Sequence, residues 1–213
     1  MEYNAKQLQI IQVAERLFAA KGFSGTSIRD IAHEADINVS MISYYFGSKE
    51  KLIEALFEVR IVESAERMEN IVSNEDLTPL QKIYILIDGV IERLLGNQCF
   101  HNIMLREQLS GEERTQVISD LIFELKVKNW DGINSILREG QQKGHFKNDI
   151  DVTLFSATLY GTVNHFLTTQ SFYRKINNLE SLGQEEFDKS LKQKLSKHLK
   201  SIFKATVAYE TIE

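Results

Sequence analysis

Apolar side chains recur at three- and four-residue steps along most of the chain, and no segment alternates apolar and polar residues as a strand would. The pattern predicts helices throughout. A first helix is expected from about Ala5 to Ala20, with Ile10, Ala14, Leu17 and Phe18 inward, Gly22 just past its end and Phe23 plugging the core beyond. Thr26 or Ser27 can cap a second helix, on which Ile28, Ile31, Ala32 and Ala35 share one apolar face. That face breaks at Asp36-Ile37-Asn38, where Asp accepts a left-handed backbone less readily than Gly. Asn38 is a good N-cap for a short third helix whose Ile42 and Phe46 turn inward with Ile37. Gly47 ends it and Ser48 caps a long fourth helix, Lys49 toward Val72, with Leu52, Ile53, Leu56, Phe57 and Ile61 apolar.

Beyond residue 72, Thr78-Pro79 with Gln81 forms a capping box for a strongly apolar helix from Pro79 to Leu95, stopped by Gly96-Asn97. A short helix near Phe100 to Leu109 follows, then Ser110-Gly111 and a long helix from about Glu112 to Lys143. Gly144 to Asn148 is a loop. Asp149 or Asp151 opens a helix that continues to about Tyr173, and a last helix spans about Glu185 to Tyr209. The fold class is therefore all-α: a three-helix head and a C-terminal helical bundle, about nine helices in all. The expected domains are residues 1–50 and 51–213.

The third helix leaves Val39, Ser40, Met41, Ser43, Tyr44 and Tyr45 largely outward. So short a helix does not normally offer a methionine and two tyrosines to water. A DNA major groove accounts for them, since small hydroxyls and apolar groups meet base edges and thymine methyls while phenols reach phosphates. Lys49 then lies in the first turn of the next helix, where its ammonium and the free amides can share one phosphate. Helix pairs with tight turns are common in all-α proteins; the exposed Tyr44-Tyr45 and the following Gly-Ser-Lys are what point to duplex DNA.

Residues 8 to 57 resemble the DNA-binding domain of the TetR family of bacterial transcriptional regulators. The likeness rests on Ile11 to Phe23, Thr26 to Ala32 and Tyr44 to Leu52, about a quarter of the chain. It implies a helix-turn-helix head with the third helix as recognition helix, a ligand-binding helical body and a two-fold dimer. Carried over by position, Ser27 and Arg29 contact DNA from the second helix, and Tyr44, Tyr45 and Lys49 contact the backbone. Ser40, Met41 and Ser43 fall where bases are read; Thr26, Asn38 and Val39 complete the expected DNA-binding set. Asp36 stands where the family has a turn glycine, and Ser43 where a tyrosine is frequent.

Composition changes this picture little. The 213 residues are 43% hydrophobic and 26% charged, ordinary for a globular chain. No stretch approaches the roughly 20 apolar residues that cross a bilayer, the N-terminus lacks a signal pattern, and the single cysteine, Cys99, fits a reducing cytoplasm. Charge is more informative. Residues 1–51 hold six basic and six acidic side chains, so the net −5 falls entirely on the rest. An acidic body opposes non-specific adhesion to DNA and leaves affinity to a few placed contacts.

The helix after Asp151 carries Thr158, Gly161, Thr162 and His165, and the last helix carries Leu195, Leu199, Ile202 and Phe203 at helical spacing. These eight form the expected homodimer interface, a four-helix contact in which Gly161 permits close approach. The simpler alternative is that the last helix packs only on its own body. The ligand pocket that the resemblance implies is placed at Ile83, Ile87, His101, Trp130, Phe155, Tyr160 and Asn164, for a small and mostly apolar effector. Catalysis is not expected: Asp30, His33 and Glu34 do not converge, and no nucleophile turn, zinc motif or phosphate loop is present. No cofactor or metal is expected. The reading is a ligand-responsive repressor that binds a pseudo-palindromic operator as a dimer; the alternative is a helical adaptor that binds no DNA.

Overall fold

A computed structural model describes residues 3–96, 98–109 and 116–207, without the side chains of 107–109. Among these residues are ten α-helices and no strand: α1 Ala5–Lys21, α2 Ile28–Glu34, α3 Val39–Phe46, α4 Lys49–Val72, α5 Pro79–Gly96, α6 Gln98–Leu109, α7 Gln116–Gln142, α8 Val152–Thr168, α9 Gln170–Ile176 and α10 Gln184–Val207. The predicted break at Ser110-Gly111, the helix start at Glu112 and the helix end at Tyr209 lie outside the described residues. Two compact units form, Met1–Ala65 with Asn97–Val127, and Glu66–Gly96 with Lys128–Glu213.

In the first unit α1 to α3 and the start of α4 close over Ile10, Ala14, Phe18, Ile31, Ile42, Leu52 and Leu56, all sealed from solvent. Ala32 and Ala35 are buried where α2 meets α3, as small residues at a helix crossing allow. This unit is larger than residues 1–50: it takes in more of α4, tied to α1 by side-chain pairs, and residues 97–127, of which α6 packs on α1. The buried Glu15 carboxylate on α1 pairs with Arg60, Arg60 also pairs with Glu63 at 2.9 Å, and the Tyr3 hydroxyl donates to Glu58 at 2.6 Å. Phe57 on α4 meets Phe100 on α6 edge-on, with ring centroids 5.1 Å apart.

In the second unit α10 packs along α5 and against α8. Thr78 and Gln81 cap α5 reciprocally, the Gln81 side chain accepting the Thr78 amide at 2.8 Å and the Thr78 hydroxyl the Gln81 amide at 3.3 Å. Lys82 is buried, donating to the Val72 carbonyl at 2.7 Å and to Glu139 at 2.8 Å, so the end of α4, the start of α5 and the end of α7 meet at one ammonium. Asp151, not Asp149, caps α8 by accepting the Thr153 and Leu154 amides.

Two expectations are corrected here. The helix predicted to run to Tyr173 ends at Thr168, and a separate α9 begins at Gln170. Thr169 has left helical geometry (φ −120°, ψ 23°), and the hydroxyls of Thr168 and Thr169 both donate to the His165 carbonyl. Hydroxyls that bond back to carbonyls compete with the helix ladder. The apolar stripe of the last helix is also mostly internal: Leu195, Leu199 and Phe203 are buried in the unit's own core, so the simpler alternative holds for these three. Of the other interface candidates, Gly161 and His165 are exposed, while Thr158, Thr162 and Ile202 are half-buried.

The pair between Glu15 and Arg60 supplies a test of how α4 is held. Arg60→Met alone takes the guanidinium away from a buried carboxylate and is expected to cost about 3 kcal/mol or more in urea unfolding, whereas Glu15→Met with Arg60→Met recovers most of that loss. Equal losses in the single and double variants would contradict the arrangement.

Candidate DNA-binding surface

Local chemistry fixes the two helices that make this surface. Ser27 is the N-cap of α2: its hydroxyl accepts the Asp30 amide at 3.1 Å and donates to the Asp30 carboxylate at 2.6 Å. Asp30 in turn accepts the Ser27 amide at 2.9 Å. These hydrogen bonds hold the Asp30 carboxyl below its ordinary pKa, with Lys21 3.7 Å away as a lesser contributor. The turn passes through Asp36 in the left-handed region (φ 50°), closed by the Ile37 amide on the Ala32 carbonyl at 3.0 Å. Asp does here what the sequence comparison assigns to glycine, at a modest strain cost. Asn38 caps α3, accepting the Ser40 amide and the Ser40 hydroxyl, each at 2.8 Å.

Two side chains hold α3 to the core, Ile42 at 0% exposure and Phe46 at 9%. The rest of the helix faces outward. Val39, Ser40 and Ser43 are exposed, Met41 and Tyr45 are half-buried, and Tyr44 is 84% exposed. Tyr44 and Tyr45 meet edge-on with centroids 5.2 Å apart, leaving the Tyr44 hydroxyl free for an external acceptor. Asn38, Ser27 and Arg29 are also exposed, and Arg29 pairs with no carboxylate among the described residues. One continuous outer face therefore combines a cation, hydroxyls, a phenol and small apolar groups, the mixture that phosphate and base-edge contact requires.

Two predicted contacts point inward. Thr26 is 1% exposed, its hydroxyl donating to the Gly22 carbonyl at 2.8 Å and the Leu17 carbonyl at 3.2 Å. Lys49 donates to the carbonyls of Phe23 at 2.9 Å and Thr26 at 3.0 Å, with its ammonium 4.3 Å from the Phe23 ring centroid. The free carbonyls at the end of α1 and in the following loop attract these donors before any phosphate can. Both residues therefore brace the loop that leads into α2. The sequence held a clue, since Gly22-Phe23-Ser24-Gly25 leaves a bend of unpaired carbonyls beside the Lys49 helix start.

The pocket candidates divide between the units. Ile83, Ile87 and Phe155 are buried in the second core, and Trp130 is exposed at 39%. The Phe155 ring lies 3.9 Å, centroid to centroid, from Phe203, and both line a groove of about 300 Å³ with Leu154, Thr158 and Thr206. Tyr160 and Asn164 are half-buried, but the Tyr160 hydroxyl and the Asn164 amide oxygen are sealed from solvent with no hydrogen-bond partner. His101 lies buried in the first unit, where burial lowers its pKa and favours the neutral ring. Among the described residues no three His, Cys, Asp or Glu side chains gather as a metal site, and no helix is long and apolar enough to cross a membrane.

Comparison with known proteins gives these features a family. Residues 10–56 match the family model for "Bacterial regulatory proteins, tetR family", and residues 57–192 match the model for "YsiA-like protein, C-terminal region". The chain belongs to the TetR family. It is a DNA-binding transcriptional regulator, and the adaptor alternative is set aside. The chain is 29% identical over 164 residues to the fatty acid metabolism regulator protein of Bacillus subtilis (strain 168), covering 77% of this chain and 82% of that one. It is 30% identical over 144 residues to the transcriptional repressor NicS of Pseudomonas putida, covering 68% and 67%. Among solved structures, the Bacillus subtilis regulator FadR in complex with stearoyl-CoA superposes with a TM-score of 0.66 at 25% identity, over 91% of this chain and 97% of that one.

For this TetR-family head, Tyr44→Ala and Lys49→Met are both expected to weaken operator binding, but by different routes. Only Lys49→Met should speed amide hydrogen exchange across Ile28 to Phe46 in the free protein, because only Lys49 braces the loop. Unchanged exchange in that variant would return Lys49 to the role of a simple phosphate contact.

Proposed function

We propose that this regulator is a repressor, that it binds a pseudo-palindromic operator as a two-fold homodimer, and that a long-chain acyl thioester of coenzyme A releases it. Residues 1–50 serve as the DNA-binding domain and 51–213 as the ligand-binding and dimerisation domain. The reading places it in the cytoplasm, where the chromosome is, and gives it no catalytic role. The observation that carries DNA recognition is the outward face of α3, held by Ile42 and Phe46 while Val39, Ser40, Ser43 and Tyr44 stay exposed. The effector class is supported by the likeness to a fatty acid metabolism regulator and, over almost its full length, to a regulator solved with stearoyl-CoA. An acyl chain also suits the expectation of a mostly apolar ligand, since the second unit's interior is dominated by Ile, Leu, Val and Phe.

Release requires only that the ligand prefer one of two conformations. α4 begins in the first unit and ends in the second, so a ligand favouring a shifted α4 changes the spacing of two heads on one operator. Operator fragments recovered from the host genome with purified protein supply the DNA for the test. Stearoyl-CoA at saturation is expected to lower operator affinity, measured by fluorescence anisotropy, and operator should lower stearoyl-CoA affinity by the same factor. An operator affinity that does not move with stearoyl-CoA would contradict the effector assignment.

The dimer reading rests on the exposed remainder of α8: Leu154 at 67% exposure, Gly161 and His165, with Phe172 and Ile176 of α9 also exposed. A side chain at Gly161 meets nothing within 4 Å in a single chain. Gly161→Leu should therefore fold normally yet obstruct a second α8, halving the mass seen by light scattering; an unchanged dimer mass would place the interface elsewhere.

A further inference from the structure

In the second unit, α8 turns Tyr160 and Asn164, one helical turn apart, to the same side. The Tyr160 hydroxyl and the Asn164 amide oxygen are both inaccessible to water and unpartnered. Buried polar atoms are almost always satisfied, so two orphans on one helix face call for an explanation. Beside Tyr160 stands Arg93 of α5, the helix against which α8 packs. Arg93 makes no ion pair among the described residues, and it is one of few cations in the otherwise apolar run of α5. Burial raises the Tyr160 pKa and the Arg93 charge partly opposes that rise, so the phenol stays protonated and able to donate.

The inventory of polar groups at this place is specific. Arg93 and Tyr160 offer donors and Asn164 offers an acceptor, at the edge of an interior made of Leu86, Val90, Leu159, Val163 and Phe187. A ligand that matches must carry a carbonyl or anionic oxygen, an N–H a few bonds away and a long apolar part. A free fatty acid has the first and third only. An acyl thioester of pantetheine has all three, since its carbonyl accepts and the amides of the pantetheine arm donate.

We infer that Arg93, Tyr160 and Asn164 form the polar anchor of the effector site, Arg93 and Tyr160 donating to the thioester carbonyl and Asn164 accepting from a pantetheine amide. The inference rests on the acyl-thioester reading above and adds the residues that select thioester over free acid. Unliganded, the Tyr160 hydroxyl and the Asn164 amide oxygen are unpaired while Arg93 faces only the phenol, and the ligand satisfies them on binding. Removing a buried hydroxyl that has no partner costs the free protein little, whereas removing it from a complex that uses it costs affinity.

The test compares stearoyl-CoA and stearate binding, by titration calorimetry, to the full-length wild type, Tyr160→Phe, Asn164→Leu and Arg93→Met. Tyr160→Phe, which deletes one atom, should keep or raise the unliganded melting temperature and weaken stearoyl-CoA about tenfold. Asn164→Leu should weaken stearoyl-CoA but leave stearate binding unchanged, which separates the pantetheine amide from the carboxylate as the group recognised. Arg93→Met should weaken both. If wild type binds stearoyl-CoA and the variants bind it equally well, the anchor is overturned while the effector class stands. If wild type binds neither probe, the effector class fails and the anchor falls with it. A lowered unliganded melting temperature in Tyr160→Phe would show the hydroxyl already satisfied within the fold, and would also overturn the anchor.

Discussion

The attachment of α4 to the helix-turn-helix is the constraint on which the remaining architecture depends. An eight-residue helix is too short to be stable alone, because nucleation consumes most of what its few hydrogen bonds return. α3 persists because Ile42 and Phe46 are seated in a core to which α1, α2 and α4 all contribute. Three polar ties keep that core closed. Lys49 holds the Phe23 and Thr26 carbonyls, Arg60 holds the buried Glu15, and Glu58 accepts from Tyr3. With the inner face committed in this way, the outer face of α3 can carry exposed phenol and hydroxyl side chains and a half-buried methionine, whose stability cost the core offsets.

Much of this could be read from residue order, and the parts that could not share a cause. Caps and turns announce themselves locally: Ser27, Asn38, Asp36, Gly47 and the Thr78-Pro79 pair with Gln81 are each decided by atoms within a few residues. Which residues of α3 turn inward was equally legible, because the four-residue spacing of Ile42 and Phe46 defines a face. Destinations set by distant chain were not. The start of α4 suggests a phosphate for Lys49, yet carbonyls more than twenty residues earlier hold it. Leu195, Leu199 and Phe203 made an apolar stripe that periodicity detects, but periodicity does not say whether α5 of the same chain or a second chain covers it. Two adjacent threonines are ordinary in sequence, so nothing local announces the break at Thr169, where both hydroxyls bond back to the His165 carbonyl.

The second unit shows the same economy in a different setting. Its interior is apolar, and several of its charged side chains are paired: Lys82 with Glu139, Lys192 with Glu92, Lys200 with Asp88. Against that background the Tyr160 hydroxyl and the Asn164 amide oxygen stand apart because the fold gives them no hydrogen-bond partner. The net charge follows a similar division. Residues 1–51 are neutral and the remainder carries −5, so the head offers no general basic surface, and the proposed contacts of Arg29 and the α3 face would have to supply DNA affinity.

A crystal structure of the protein on an operator fragment tests the central claim most directly. The expected complex has Val39 to Tyr45 in the major groove with Lys49 still bonded to the Phe23 and Thr26 carbonyls, and residues 5–65 arranged as in the free chain. A complex in which α3 lies away from the bases, or in which Lys49 has swung out to a phosphate and the loop into α2 has refolded, would contradict it.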